Sequence, residues 1–365
     1  MGKKKEKVVI NAKTREDLLK SMSSKYKRDV VRRTKAVRAF SSGILELDIA
    51  SGIGGHKCGG IVEIYGPEST GKSLIALRAI ATAQQKYGLP SVLFDTEFGT
   101  PEDWMKTHGV DPTMVEIPDF THGEEIFDMA LDFVKSGIYA YVVIDSLVGA
   151  VPEAVLEGSV SDKDVGVEAR MVGKALKQTT FALSEVDTNL MIVNQIRMKI
   201  PMGGFAVGSL ETTPGGNAPK FYATQRIRTG RKPQSEFRRD SEVVGHTVLA
   251  TFKKNKSAPP LRKAEFKLDY FRGVDNIPDL LRRGVELDII EVTGNTHKYM
   301  NTSVVGSKKF MEELHNDPIL VENLWESIIS QTCHHKKPFE PTSIGEFNES
   351  TEAEEDFEGI HEDEE

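Results

Sequence analysis

Residues 61–73 read IVEIYGPESTGKS, and this segment limits the fold more tightly than any other part of the chain. A short apolar run, Ile61 to Tyr65, leads into Gly66-Pro67-Glu68-Ser69-Thr70-Gly71-Lys72-Ser73, which matches G-x-x-x-x-G-K-[ST]. Helix formers follow (Leu74, Ala76, Leu77, Arg78, Ala79, Ala81), so the segment predicts strand, tight loop and helix in succession. The spacing has a chemical reason. Two glycines let the backbone curl until its N–H groups point inward at phosphate oxygens. The helix N-terminus adds partial positive charge, Lys72 reaches the β- and γ-phosphates, and the Ser73 hydroxyl ligates Mg2+. A chance glycine-rich turn would lack the strand in front and the Lys-Ser ending. The segment predicts binding of a nucleoside triphosphate with Mg2+.

At 365 residues the chain is long enough for two domains and tails. Two cysteines, Cys58 and Cys333, make no disulfide framework and point to a reducing compartment, the cytoplasm. Cys333-His334-His335 offers metal-ligating side chains, but three adjacent ones converge poorly on one ion. No stretch approaches 18 continuous apolar residues, which excludes a membrane-spanning helix. The start, Met1-Gly2-Lys3-Lys4-Lys5-Glu6, fits neither myristoylation nor a secretory signal.

The net charge of −8 is unevenly spread. Residues 346–365 carry eleven Asp and Glu with no Lys or Arg, and without those acids −8 becomes +3. Such a block reads as a disordered tail. The N-terminal stretch is the opposite pole, with Lys3 to Lys7, Lys25-Tyr-Lys-Arg28 and Arg32-Arg33. This polarity suits a body that binds polyanions and a tail that competes for the same surface; the alternative is a tail that only aids solubility.

The central region alternates strand and helix. Ser91–Asp95, Tyr141–Asp145 and Asn189–Gln195 are buried-type runs ending in polar residues, with helical periodicity in 123–136 and from about 167 to 186. Parallel βαβ units follow, with functional residues at the strands' carboxyl ends. From Phe221 onward the spacing shortens to strands, 243–252 and 264–269, which predicts an antiparallel extension. Residues 15–26 predict a helix with Leu18, Leu19 and Met22 on one stripe, able to pack on the body or on a neighbouring subunit.

Three polar residues end the central strands. Asp145 follows four apolar residues, as the Mg2+-orienting acid of a phosphate-loop enzyme does. Glu97, just past the Asp95 strand end, is placed to orient the water that attacks the γ-phosphate, or is a solvated helix-start acid. Gln195 is a candidate γ-phosphate sensor. Beyond it, residues 197–214 and Gly215-Gly216-Asn217 combine cations, five glycines and apolar side chains. Cations meet phosphates, and apolar side chains wedge between bases. A second suspect loop, 157–166, precedes Arg170, Lys174 and Lys177 on one helix. The residues alone favour DNA or RNA binding here.

The series Ile61–Ser73, Val142–Ser146, Asn194-Gln-Ile-Arg-Met-Lys-Ile200, Thr213–Tyr222 and Lys253-Lys-Asn-Lys256 resembles the bacterial RecA recombinase family, in order, over about 41–335. Asp95–Gly99 and Gly109–Pro112 resemble its phage-encoded branch. The resemblance implies a RecA-type P-loop NTPase core of α/β class at 41–272, with a mostly parallel twisted sheet. It also implies an N-terminal oligomerisation segment (1–40), a small C-terminal α/β domain (273–337) and an acidic tail (338–365). By resemblance Lys72, Glu97, Gln195, Lys254 and Lys256 are catalytic, and Lys254 and Lys256 reach a neighbouring subunit's ATP. Ser73 and Asp145 hold Mg2+. Trp104 stacks on adenine beside Gly66–Ser73. Val165 and Ile200 insert between base triplets, and Arg170, Lys177, Arg197, Met198, Lys199, Gly215, Gly216 and Asn217 contact the single-strand backbone. Phe221 links neighbouring subunits.

Four positions depart from the family pattern: Pro101 near adenine, Pro219 inside the GGNA-x-KFY segment, and Leu249 and Thr251 in place of basic residues of the secondary DNA site. Pro219 removes an N–H donor, which puts the start of that helix in question. Arg226, Arg228, Arg231, Lys232, Arg238 and Arg239 are candidates to compensate. The function this implies is an ATP-dependent recombinase filament on single-stranded DNA that pairs it with homologous duplex, helped by single-strand-binding and loading proteins. A ring-shaped RecA-fold motor and an ATP-binding mediator with little turnover are the alternatives.

Overall fold

The computed structural model describes residues 14–27, 29–31, 36–159, 166–198 and 211–333. The chain divides into two compact units, Met1–Ala36 and Val37–Glu365. The first contains α1 (Arg15–Tyr26), started by Thr14, whose hydroxyl accepts from Asp17 N–H at 3.1 Å, and stopped by Lys27 in the left-handed region. No residue of α1 is buried, so its apolar stripe of Leu18, Leu19 and Met22 faces no core of its own.

The second unit opens with the two-stranded pair β1 (Ala39–Phe40) and β2 (His56–Lys57), which brackets α2 (Leu45–Ser51). The core then runs β3 (Ile61–Gly66), α3 (Lys72–Tyr87), β4 (Ser91–Asp95), α4 (Glu102–Thr107), β5 (Val115–Glu116), α5 (Gly123–Ser136), β6 (Tyr141–Asp145), α6 (Glu153–Glu157), α7 (Val167–Leu183) and β7 (Asn189–Gln195). After these come β8 (Arg197–Met198), β9 (Glu211–Thr212), α8 (Ala218–Tyr222), β10 (Gln225–Arg231), β11 (Phe237–Arg239), β12 (Glu242–Asn255) and β13 (Lys263–Asp269).

The sheet order is β11-β12-β10-β3-β7-β6-β4-β5, with β13 on β12. The six strands from β10 to β5 are parallel, and β11, β12 and β13 join antiparallel. The expected strands 243–252 and 264–269 do form an antiparallel extension as β12 and β13, and β10, before them, lies parallel to β3. Because side chains alternate across a strand, each central strand feeds two cores. Val62, Ile64, Val143 and Val193 pack under α3, whereas Ile61, Val142, Ile144 and Ile192 pack under α5 and α7.

A third core gathers α9 (Ile277–Glu286), the sheet β14 (Glu291–Thr293), β15 (Thr296–Tyr299) and β16 (Thr302–Val305), α10 (Ser307–Asn316) and α11 (Pro318–Thr332). Leu45 and Ile49 of α2 belong to this core. Buried Glu46 of the same helix accepts from Arg283 at 2.7 Å and Arg282 at 2.8 Å. Among the described residues no helix is long and apolar enough to cross a membrane.

Candidate nucleotide and DNA site

The phosphate loop is shaped by its neighbour β10. At Gly66 a Cβ would lie 2.4 Å from Thr229 Oγ1 and 2.5 Å from its carbonyl oxygen, so only glycine fits. Gly71 caps α3 at φ 83°, a left-handed conformation that turns the chain into the helix. Thr70 Oγ1 donates to Pro67 O at 2.9 Å and lies 2.8 Å from Thr229 Oγ1. Arg231 Nε donates to Ser69 O at 3.1 Å. The first turn of α3 has no side-chain cap and no acid, which leaves its N–H groups directed at the loop. Lys72 Nζ donates to Pro67 O at 2.8 Å, folding its ammonium over the loop. Burial lowers the Lys72 pKa, while Asp145, Glu97 and Glu68 oppose that.

Parallel pairing of β4, β6 and β7 brings the predicted acids and amide to the same end of the sheet. Ser73 donates a side-chain hydrogen bond to Asp145, whose carboxyl is pushed up to about 6 by burial, with Glu97 and Asp95 adding to the rise. Glu97 Oε1 accepts from Ser146 Oγ at 2.8 Å and from Gln195 Nε2 at 3.4 Å. Thr96 bonds Ser146 twice, N–H to Oγ1 at 2.8 Å and Oγ1–H to O at 2.7 Å. Ser146, which follows Asp145, is thus clamped to the segment just after β4. Glu97 is exposed and precedes α4, whose N-cap is Pro101. Ser146 and Thr96 are site residues that sequence reasoning missed, although both adjoin the acids it found.

The glycine pair after the suspect segment 197–214 meets the helix that follows the other one, 157–166. Gly215 N donates to Glu168 Oε1 at 2.6 Å, and added Cβ atoms at Gly215 and Gly216 would meet Val172 at 3.1 Å and Ala169 at 3.0 Å. This presses the glycine pair and Asn217 against the start of α7, where Arg170, Lys174 and Lys177 are exposed along one face. Arg197 is exposed on β8, which pairs with β9 through Arg197↔Thr212 and Met198↔Glu211. The predicted loop 197–214 therefore has a hydrogen-bonded stem at both ends, and 157–166 begins on the last residue of α6. Val165, Lys199 and Ile200 lie outside the described residues.

Pro219 falls in the first turn of α8, where the missing N–H has no helical acceptor to lose, so the helix starts undisturbed. Phe221 on that helix is 72% exposed. Lys254 Nζ donates to Lys220 O at 2.7 Å and Phe221 O at 2.8 Å, and Lys256 is exposed close by. The structure puts Trp104 on α4 with its ring 4.4 Å from His108, edge-on. None of the contacts described for it reaches the phosphate loop.

The donor set fits ATP with Mg2+. One hydroxyl and one carboxylate beside a phosphate cradle is the usual protein share of a Mg2+ site, whose other ligands are phosphates and water. Among the described residues no cluster of three or more His, Cys, Asp or Glu is arranged to hold a metal by itself. The buried Asp145 carboxyl beside Ser73 is the position a cation would neutralise.

Strand, glycine loop and helix, with acids at the ends of adjoining parallel strands, define a P-loop nucleotide-binding core. The family model for the RecA N-terminal domain matches residues 17–275. The chain is 37% identical over 293 residues to Protein RecA of Porphyromonas gingivalis, covering 80% of this chain and 84% of that one. It is 38% identical over 297 residues to that of Sulfurimonas denitrificans (80% and 84%) and 36% identical over 292 residues to that of Staphylococcus aureus (79% and 82%). The chain belongs to the RecA family and functions as a RecA recombinase.

Proposed function

We propose that this chain hydrolyses ATP when bound to single-stranded DNA, and that ATP between subunits holds a filament competent for pairing with homologous duplex. The carrying observation is that Glu97 Oε1 contacts both Ser146 and Gln195. The carboxylate proposed to orient the attacking water thereby touches Gln195, the candidate γ-phosphate sensor, and Ser146, which follows Asp145. Lys72, Ser73 and the N–H groups of the phosphate loop hold the phosphates, and Ser73 and Asp145 would hold Mg2+, which would neutralise charge on them. Glu97 orients the attacking water. Loss of the γ-phosphate frees Gln195, whose backbone continues into β8 and the stem of the DNA segment. Arg170, Lys174, Lys177, Arg197 and the Gly215–Asn217 backbone grip the strand. Lys254, Lys256 and Phe221 act across the subunit boundary, and Trp104 stacks on adenine. Residues 1–40 carry filament contacts, 41–272 the ATPase, 273–337 a small C-terminal domain and 338–365 a tail that competes with DNA. The setting is the cytoplasm.

Phosphate release with and without single-stranded DNA tests this. Stimulation by DNA, abolished by Lys72→Ala and by Glu97→Ala, is expected. Stimulated hydrolysis intact in either variant would show the site to be misassigned.

A further inference from the structure

Behind the phosphate loop lies a row of polar side chains that the nucleotide chemistry does not use. Glu63 sits in the middle of β3 with no solvent exposure, inside what reads in sequence as an apolar run. Its register partners are Arg226 on β10 and Ile192 on β7. Arg226 Nε donates to Glu63 Oε2, and its guanidinium stands 4.5 Å from the centre of the Tyr65 ring. Glu63 Oε1 accepts from Asn194 Nδ2 at 3.2 Å. The same amide nitrogen donates to Pro214 O at 3.2 Å, and Asn194 Oδ1 accepts from Gln195 N–H at 3.0 Å. On the other side, Arg226 is the register partner of Lys254. Four adjacent strands, β7, β3, β10 and β12, thus carry Asn194, Glu63, Arg226 and Lys254 side by side.

An ion pair buried this deeply adds little net stability compared with apolar side chains of the same size, because desolvation offsets the attraction. It does fix position. We propose that this row couples the stem of the DNA segment to Lys254, with Glu63 as the positioning residue at its centre. The proposal rests on the function given above.

Each end of the row holds a part that has to move. One Asn194 side chain donates from Nδ2 to the Pro214 carbonyl, next to Gly215, and accepts at Oδ1 from Gln195 N–H, so displacing either segment takes a partner from the amide that also holds Glu63. At the far end, Lys254 closes the C-terminal carbonyls of α8, the helix that presents Phe221. Glu63 neutralises Arg226. Without it the Arg226 charge would bear on the Lys254 ammonium and push it from Lys220 O and Phe221 O. A shift of the DNA segment is therefore felt where the subunit meets its neighbour, and the reverse.

A connected row becomes a relay only if its members are coupled energetically, so the experiment measures coupling. ATP hydrolysis is followed with and without an unstructured single-stranded oligonucleotide, alongside KM for ATP and the thermal midpoint. Three variants are compared: Glu63→Gln, the double variant Glu63→Met with Arg226→Met, and Asn194→Leu. The double variant removes the charges together and is expected to fold; Asn194→Leu leaves the ion pair intact if Glu63→Gln proves unstable. In both, KM for ATP stays near the unsubstituted value while stimulation by DNA falls by about tenfold or more, an ordinary size for coupling between sites. A double variant with full stimulation would reduce the row to packing, as would Asn194→Leu with full stimulation. If the unsubstituted chain shows no stimulation, the proposed function fails and takes the relay with it.

Discussion

Two faces of the molecule carry positive charge, and they differ in what the charge already does. On β10, β11 and the turn between them the arginines and Lys232 are engaged within the chain, whereas Lys253, Lys263 and Lys267 on β12 and β13 are exposed. Arg228 makes two hydrogen bonds to Glu211 at 2.8 and 2.5 Å, Arg239 meets Asp269 at 3.1 Å, Arg231 meets Glu236 at 3.7 Å, and Lys232 pairs with Glu265. Arg226 is held by buried Glu63, and Arg238 donates to Ser241 O. On α7 and β8, Arg170, Lys174, Lys177 and Arg197 are exposed and have no ion-pair partner among the described residues. A count of basic residues treats the faces alike; their geometry does not. Phosphate binding draws on charge that is not already neutralised. On the proposed function the α7 face is the one expected to hold the single strand, and the cations of 226–239, being already engaged, are expected to add little there.

The widest effect comes from removing the exposed set. Arg170→Ala, Lys174→Ala and Lys177→Ala together are expected to weaken single-strand binding at least about tenfold and make the salt dependence shallower by about two units. Unchanged slope in a salt titration would break the comparison. Next is Arg228→Met, which unties Glu211 from β10 and loosens the stem of the DNA segment; binding should fall about fivefold, as for a single well-formed surface pair.

Acidity probes the engaged face directly. Its hydrogen bonds to Arg228 hold the Glu211 carboxyl below the usual carboxylate range. A lowered acid keeps its partner above its unfolded value of 4.5 and releases it only as pH falls below that. DNA affinity of the triple α7 variant should therefore be flat from about pH 8 to about pH 5. A rise toward pH 5 would mean Glu211 had let Arg228 go. The smallest effect is expected for Lys232→Ala and Arg239→Ala, each within about twofold of the unsubstituted affinity by filter binding.

Much of this was legible in the sequence where the signal is local. Helices 15–26 and 123–136, the strands ending at Asp95, Asp145 and Gln195, and the loop Gly66–Ser73 follow from periodicity and turn chemistry within a few residues. What escaped depends on distant partners. Parallel pairing of β10 with β3 cannot be read from spacing, because the partner strand lies about 160 positions earlier in the chain. Glu63 passed as part of an apolar run, since its neutralising Arg226 arrives only through that pairing. The same holds for Arg228 and Glu211. The sequence displayed their charges, and only the fold shows that they cancel. The role of α2 in the third core was hidden too, because the partners of Leu45 and Ile49 lie far along the chain.

The most direct test of the central claim is strand exchange between a circular single strand and a homologous linear duplex, with ATP and Mg2+. The account predicts joint molecules that require both homology and ATP and that disappear in Lys72→Ala. Stimulated ATP hydrolysis without any joint molecules, or joint molecules formed equally well with a non-homologous duplex, would contradict it.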